Sequence, residues 1–181
     1  MFERTLSRWD VVLFGMLAAV AYGLKRHYST ASAEDLAWIL VPTTRLVEGM
    51  TGLHFTAERY AGFVNADASF VIAPVCAGVN FLIVAFAALV LGFVGECSGP
   101  RKKAAWFVGS AALAYACTVI VNAVRIAAAL RLRQEGGWIG SSEVHRVEGV
   151  VVYLVALWLI NAVATRAFAA RGAPALIPGR S

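Results

Sequence analysis

The chain has 181 residues, 60% of them hydrophobic and 15% charged, with a formal net charge of +5 and a mean hydropathy of +0.70. Soluble domains run near about 45–50% apolar and about 25% charged, and a chain this short has too little interior to hide the excess. The composition excludes a soluble globular domain and makes the lipid bilayer the first expected partner.

The basic balance fits Lys and Arg placed at the cytoplasmic ends of membrane helices. No basic run is interleaved with aromatic residues, so nucleic acid is not an expected partner. Cys76, Cys97 and Cys117 form no CxxC or Cys/His ligand spacing, so neither a metal site nor any other cofactor is expected.

Residues 1–181 read as a single integral membrane domain, an all-α membrane protein with about four transmembrane helices plus an outer amphipathic or re-entrant segment. Residues 1–24 hold a first helix, apolar from Trp9 to Leu24. No cleavage signature follows it, since Lys25, Arg26 and His27 come next, so it is expected to be retained. Residues 25–73 form an outer segment. Within it, Glu34 to Phe55 mixes Leu36, Trp38, Ile39, Leu40 and Val47 with Pro42, Arg45 and Glu48, the pattern of an amphipathic helix lying on the membrane boundary. Tyr60 to Ala73 carries β-branched and aromatic residues among turn formers and predicts a short extended segment or hairpin leading into Pro74.

Residues 74–168 hold three further apolar runs: Pro74 to Val94, Ala104 to Leu130, and Val147 to Phe168. The basic loop with Arg101, Lys102 and Lys103 predicts a cytoplasmic connection, with both termini on the same side. Residues 172–181, rich in Pro and Gly, predict a flexible tail.

Three residues stand out chemically. Pro74 favours a helix start, placing Cys76 in the first turn of the second helix, where free N–H groups and the helix dipole favour an anion such as a thiolate. Asn80 lies four residues on, one turn along the same face. Arg125 lies inside an apolar helix, where a charge is costly and calls for a partner. Asn122, three residues earlier, shares its face and would either orient the guanidinium or simply hydrogen-bond between helices. His145 opens the fourth helix, after Ser141 or Ser142 as N-cap, and is suited to proton transfer. Each has a plainer reading: Cys76 as a small buried side chain, Arg125 snorkelling or pairing with Glu143 or Glu148, and His145 as a surface residue. Cys97 and Cys117 read as fillers, and His27 and His54 lack partners. The three candidates come from different helices, share one end of the bundle, and together supply a nucleophile, a proton carrier and an oxyanion donor.

At these residues the sequence resembles the exosortase/archaeosortase family of membrane cysteine transpeptidases. The matching stretches are APVCAGVNFLI around Cys76, NAVRIAAALRL around Arg125 and HRVEGVVVYL around His145, in the family's order. The segment WILVPTTRLVEGMTGLHF also resembles the family's region ahead of the cysteine. The likeness covers residues 70–160 and is greatest to the short exosortase K-type branch; most exosortases are longer. It implies an enzyme at the cytoplasmic membrane of a prokaryote, with its site toward the outer face. Such an enzyme cleaves PEP-CTERM-like C-terminal signals of exported proteins and passes the new carboxyl end to an acceptor. Carried over, Cys76 is the nucleophile, His145 the general acid/base and Arg125 the stabilising cation; Asn80 and Asn122 are expected to support them from their helical spacing and not from the resemblance. The competing expectation is a non-catalytic assembly or transport subunit in which Arg125 and His145 form structural polar pairs. A haem-binding subunit using His27, His54 and His145 is disfavoured because the histidines are not paired at helical spacing.

Overall fold

The structure, a computed structural model, describes residues 7–66, 70–134 and 142–172; within helices, the side chains of 132–134, 142–148, 171 and 172 are not described. The expected tail, from residue 173 onward, and Ser141 fall outside the described residues.

Five α-helices and one small sheet make up the described fold. Helix α1 (Arg8–Tyr28) starts at a capping box in which Ser7 and Asp10 satisfy each other's backbone N–H groups. Helix α2 (Ala37–Thr51) follows. Then come strands β1 (Thr56–Glu58), β2 (Gly62–Asn65) and β3 (Phe70–Ile72), paired antiparallel in that order. A 3-10 turn (Pro74–Ala77) leads into α3 (Val79–Phe93), and α4 (Pro100–Gln134) and α5 (Ser142–Gly172) complete the chain.

Among the described residues, three segments are helical, long and apolar enough to cross a membrane: Pro74–Glu96, Pro100–Arg131 and Gly149–Ala170. The protein is therefore a helical membrane protein, as the composition requires. Helix α1 has 21 residues, but charge at both ends confines its apolar stretch, residues 11–24, to about 21 Å at 1.5 Å per residue, against about 30 Å of hydrocarbon. Of the apolar windows, 56% of the first is buried within the protein but only 11% of the last. Helix α3 is thus the core element, while α5 turns Leu154, Trp158 and Val163 outward toward lipid.

Side-chain contacts fix the direction of each helix. At one end, Lys103 Nζ of α4 donates to Asp10 Oδ1 at 2.5 Å and Ser7 Oγ at 3.0 Å in α1's capping box, a buried ion pair. At the same end Phe168 of α5 stacks on Phe93 of α3 at 5.2 Å and meets Trp106 of α4 edge-on at 4.8 Å. The start of α1, the end of α3, the start of α4 and the end of α5 therefore gather together, beside the basic residues Arg101 and Lys102. The opposite end gathers Tyr28, the Cys76 turn, Arg125 and Tyr153.

Helix α2 departs from the flat amphipathic element that its sequence predicts. It packs lengthwise along the second half of α4 and in the same direction: Trp38 stacks on Tyr115 at 5.8 Å, and Arg131 Nη2 donates to the Met50 carbonyl at 3.0 Å. Its apolar face goes under, with Ile39, Leu40 and Val47 fully buried. Pro42 explains part of the fit. Proline has no N–H, so the carbonyl four residues earlier, Trp38, loses its helical partner; the Tyr115 hydroxyl supplies the missing donor at 2.7 Å. With 15 residues, α2 is about 22 Å long, too short to span.

The expected hairpin is a three-stranded sheet, reaching back to Thr56. Strand β3 runs directly into the 3-10 turn, so the sheet delivers Cys76 to the bundle. The turn is set off from α3 by Gly78 in the left-handed conformation (φ 72°). A Cβ there would sit 3.2 Å from Thr118 Cγ2 and 3.4 Å from the Asn122 amide. Gly78→Ala is expected to lose about 1–2 kcal/mol from backbone strain alone, read as a lowered midpoint of thermal unfolding in detergent; an unchanged midpoint would mean the turn relaxes freely.

Candidate active site

The site is built from the turn upward. Cys76 is part-buried on the 3-10 turn, and its own N–H donates to the Ala73 carbonyl at 2.8 Å. It therefore does not occupy the first turn of an α-helix, as the unbroken apolar run predicts. Gly78 interposes a left-handed break, and α3 begins behind it at Val79, with the positive end of its dipole toward the turn.

The same break corrects Asn80. A spacing of four places two side chains on one face only if the helix is continuous. Here Asn80 is exposed and its Oδ1 accepts from Lys25 Nζ of α1 at 2.8 Å, so its recorded partner is Lys25 and not Cys76.

Asn122 takes the central place. It is fully buried on α4 and uses both ends of its amide. Nδ2 donates to the Cys76 carbonyl. Oδ1 accepts from Arg125 Nε at 3.3 Å and from the Tyr153 hydroxyl at 2.9 Å. The expected pairing of Asn122 with Arg125 on one helical face is present, and it extends to the backbone of the cysteine. Arg125 itself is part-buried, its guanidinium 5.6 Å above the Tyr153 ring. A Cβ at Gly149 would lie 3.3 Å from Arg125 Nη1, so a side chain at that position of α5 would crowd the guanidinium. Among the described residues no carboxylate pairs with Arg125.

Helix α1 closes the other side. The Tyr28 hydroxyl donates to the Val75 carbonyl at 3.4 Å, and Lys25 Nζ lies 5.7 Å from the Tyr28 ring. Burial pushes the Tyr28 phenol above its ordinary range, with the Cys76 side chain adding to the rise and the Arg125 cation opposing it.

His145 lies in α5, one helical turn before Gly149, and its side chain falls outside the described residues, as do those of Glu143 and Glu148. Cys117 lies on α4 and Cys97 near the basic end; His27 is in the last turn of α1, and His54 lies ahead of β1, where its carbonyl accepts from Asn65 at 2.7 Å. Among the described residues no group of His, Cys, Asp and Glu is arranged to hold a metal.

The sequence reading missed Lys25, Tyr28 and Tyr153. Tyr153 had a signal: His145, Gly149 and Tyr153 recur every four residues along one helical stripe. Lys25 and Tyr28 had none, because their roles depend on how α1 packs beside the turn. Comparison with protein-family models, with curated proteins and with solved structures gives no match to this chain in any of the three.

Proposed function

We propose that the chain is a membrane-embedded cysteine transpeptidase or peptidase of the exosortase type, acting on C-terminal signals of exported proteins at the outer face of a prokaryotic cytoplasmic membrane. The observation that carries the reading is the Asn122 bracket, which ties the backbone of Cys76 and the guanidinium of Arg125 to one buried side chain. A nucleophile and a cation held at fixed separation are what acyl transfer needs. The bracket lies at the end of the bundle opposite Arg101, Lys102 and Lys103, but Lys25 and Arg131 lie at its own end, so the outward-facing site comes from the resemblance and not from charge.

In this reading the Cys76 sulfur attacks the scissile carbonyl and forms a C–S bond. Arg125 stabilises the negative charge on the thiolate and then on the carbonyl oxygen. The C–N bond breaks as His145 gives a proton to the leaving amine. The acceptor, water or an amine, then loses a proton to His145 and displaces the thiol from the thioester.

Labelling in intact membranes tests it, in a background of Cys97→Ser and Cys117→Ser. A small membrane-impermeant alkylating reagent applied from outside at neutral pH is expected to modify Cys76. The rate should fall about tenfold in Arg125→Ala, the change expected from removing one nearby charge, and should also fall in His145→Ala. Labelling at the rate of a free cysteine peptide, unchanged by both substitutions in folded protein, would overturn the reading.

A further inference from the structure

We propose that Tyr153 is a positioning residue that holds the Arg125 guanidinium and the Asn122 amide in register with the Cys76 turn; this rests on the reading of Cys76 and Arg125 given above. Tyr153 acts through two parts of one side chain. Its ring stacks on Phe81 of α3 at 4.7 Å and 17°, and the guanidinium lies 5.6 Å from the centre of the same ring. The ring thus links α5 to α3 and gives the cation a surface on which to lie. Its hydroxyl donates to Asn122 Oδ1, the oxygen that Arg125 Nε also uses.

The hydroxyl has a consequence for Cys76. An asparagine amide has one acceptor end and one donor end. With Tyr153 and Arg125 both donating to Oδ1, the Nδ2 end is directed to the Cys76 carbonyl. Without the phenolic donor, Oδ1 keeps the longer Arg125 bond of 3.3 Å, and the amide loses the shorter of the two bonds that hold its acceptor end. Gly149 completes the arrangement, because an added Cβ would come within 3.3 Å of Arg125 Nη1. Two positions of α5, four residues apart, therefore confine a cation that belongs to α4.

The test must separate a displaced charge from a loosened structure. Cys76 is modified with three methanethiosulfonates of similar size, carrying a sulfonate, a trimethylammonium group and no charge, in full-length protein in membranes with Cys97→Ser and Cys117→Ser. The ratio of the anionic to the cationic rate reports local charge, and the neutral rate reports access together with the thiolate fraction, which cancels in the ratio. Arg125→Ala is expected to lower the ratio about tenfold, as loss of one nearby charge would, and Arg125→Lys to restore part of it. Tyr153→Leu should approach the Arg125→Ala ratio, and Tyr153→Phe, which keeps the ring, should lower it about threefold.

A role in packing alone would move all three rates together and leave the ratio fixed. An unchanged ratio in Tyr153→Phe and Tyr153→Leu, where Arg125→Ala does change it, overturns the assignment of Tyr153 and spares the site. An unchanged ratio in Arg125→Ala overturns the reading of the site, and this inference with it. If Tyr153→Leu does not fold, Tyr153→Phe alone decides, since it retains both ring contacts.

Discussion

Cys76→Ser should abolish processing of a reporter carrying a C-terminal signal of motif, helix and basic tail, with uncleaved precursor accumulating in the membrane. The expected loss is roughly 10³-fold or more, the scale seen when an enzyme loses its nucleophile. A hydroxyl is a far weaker nucleophile than a thiolate near neutral pH. The structure makes the substitution a clean one. The hydrogen bonds recorded for Cys76 use its backbone: the N–H to Ala73 and the carbonyl to Asn122. Serine keeps both and is smaller only at the sulfur. Expression, membrane insertion and thermal midpoint should therefore stay near those of the parent. A subunit that merely assembles with others would tolerate the change, so full processing by Cys76→Ser would remove the enzyme reading in favour of the structural one. Cys117→Ser and Cys97→Ser should process normally, which guards against a general effect of losing a thiol.

Much of this protein was legible in its sequence because the bilayer enforces a simple rule: a spanning segment is apolar and helical throughout. Three of the about four expected spans follow from that rule, the short first helix not being among them, though α4 extends from Pro100 to Gln134, beyond the expected 104–130. Hydropathy fades where Arg101 to Lys103 and Arg131 begin, but backbone hydrogen bonding does not. The helix continues as long as its charged turns find partners, as Lys103 does at Asp10 and Arg131 at the Met50 carbonyl.

The parts that were not legible are those where tertiary contact overrides a local pattern. Residues 74–94 form one continuous apolar run, yet Gly78 divides it because Thr118 and Asn122 pack against that glycine. No periodicity within the run carries that information, so Asn80 was placed beside Cys76 when its partner is Lys25. Helix α2 reads as a surface helix because Pro42, Arg45 and Glu48 interrupt it. The Tyr115 hydroxyl relieves the proline and Glu48 accepts from the Phe55 N–H at 2.8 Å, so two of the interruptions are satisfied within the fold, and Arg45 is exposed. Asn122 and Arg125 were legible as a pair because helical spacing alone joins them. That the amide also reaches Cys76 required knowing that α3 and α4 are neighbours.

Asn122→Ala is expected to have the second largest effect, and for a different reason from Cys76. The asparagine touches no substrate in the proposed reaction, but three groups depend on it. Its removal takes the donor from the Cys76 carbonyl and the acceptor from both Arg125 and Tyr153. Leaving such groups unsatisfied in a buried place costs about 1–3 kcal/mol each where water does not enter. A lowered thermal midpoint is therefore expected, together with a loss of processing of about 10²-fold, the scale of an ångström-sized misplacement of a catalytic group.

Asn122→Asp separates the two functions of the amide. The carboxylate remains an acceptor for Arg125 and Tyr153, and adds charge pairing to the first, so the thermal midpoint should stay closer to that of the parent than in Asn122→Ala. It has no donor for the Cys76 carbonyl, and it would neutralise the cation that the proposed reaction assigns to stabilising the sulfur. Processing should thus fall about as far as in Asn122→Ala, again on the order of 10²-fold, although the fold is retained. Parental processing by Asn122→Asp would show that the bond to the Cys76 carbonyl is dispensable and that Arg125 alone orders the site. Loss of processing in a stable Asn122→Asp protein would place the requirement on a side chain that is both neutral and donating, as the amide is when it donates to the cysteine turn and accepts from the cation without cancelling its charge.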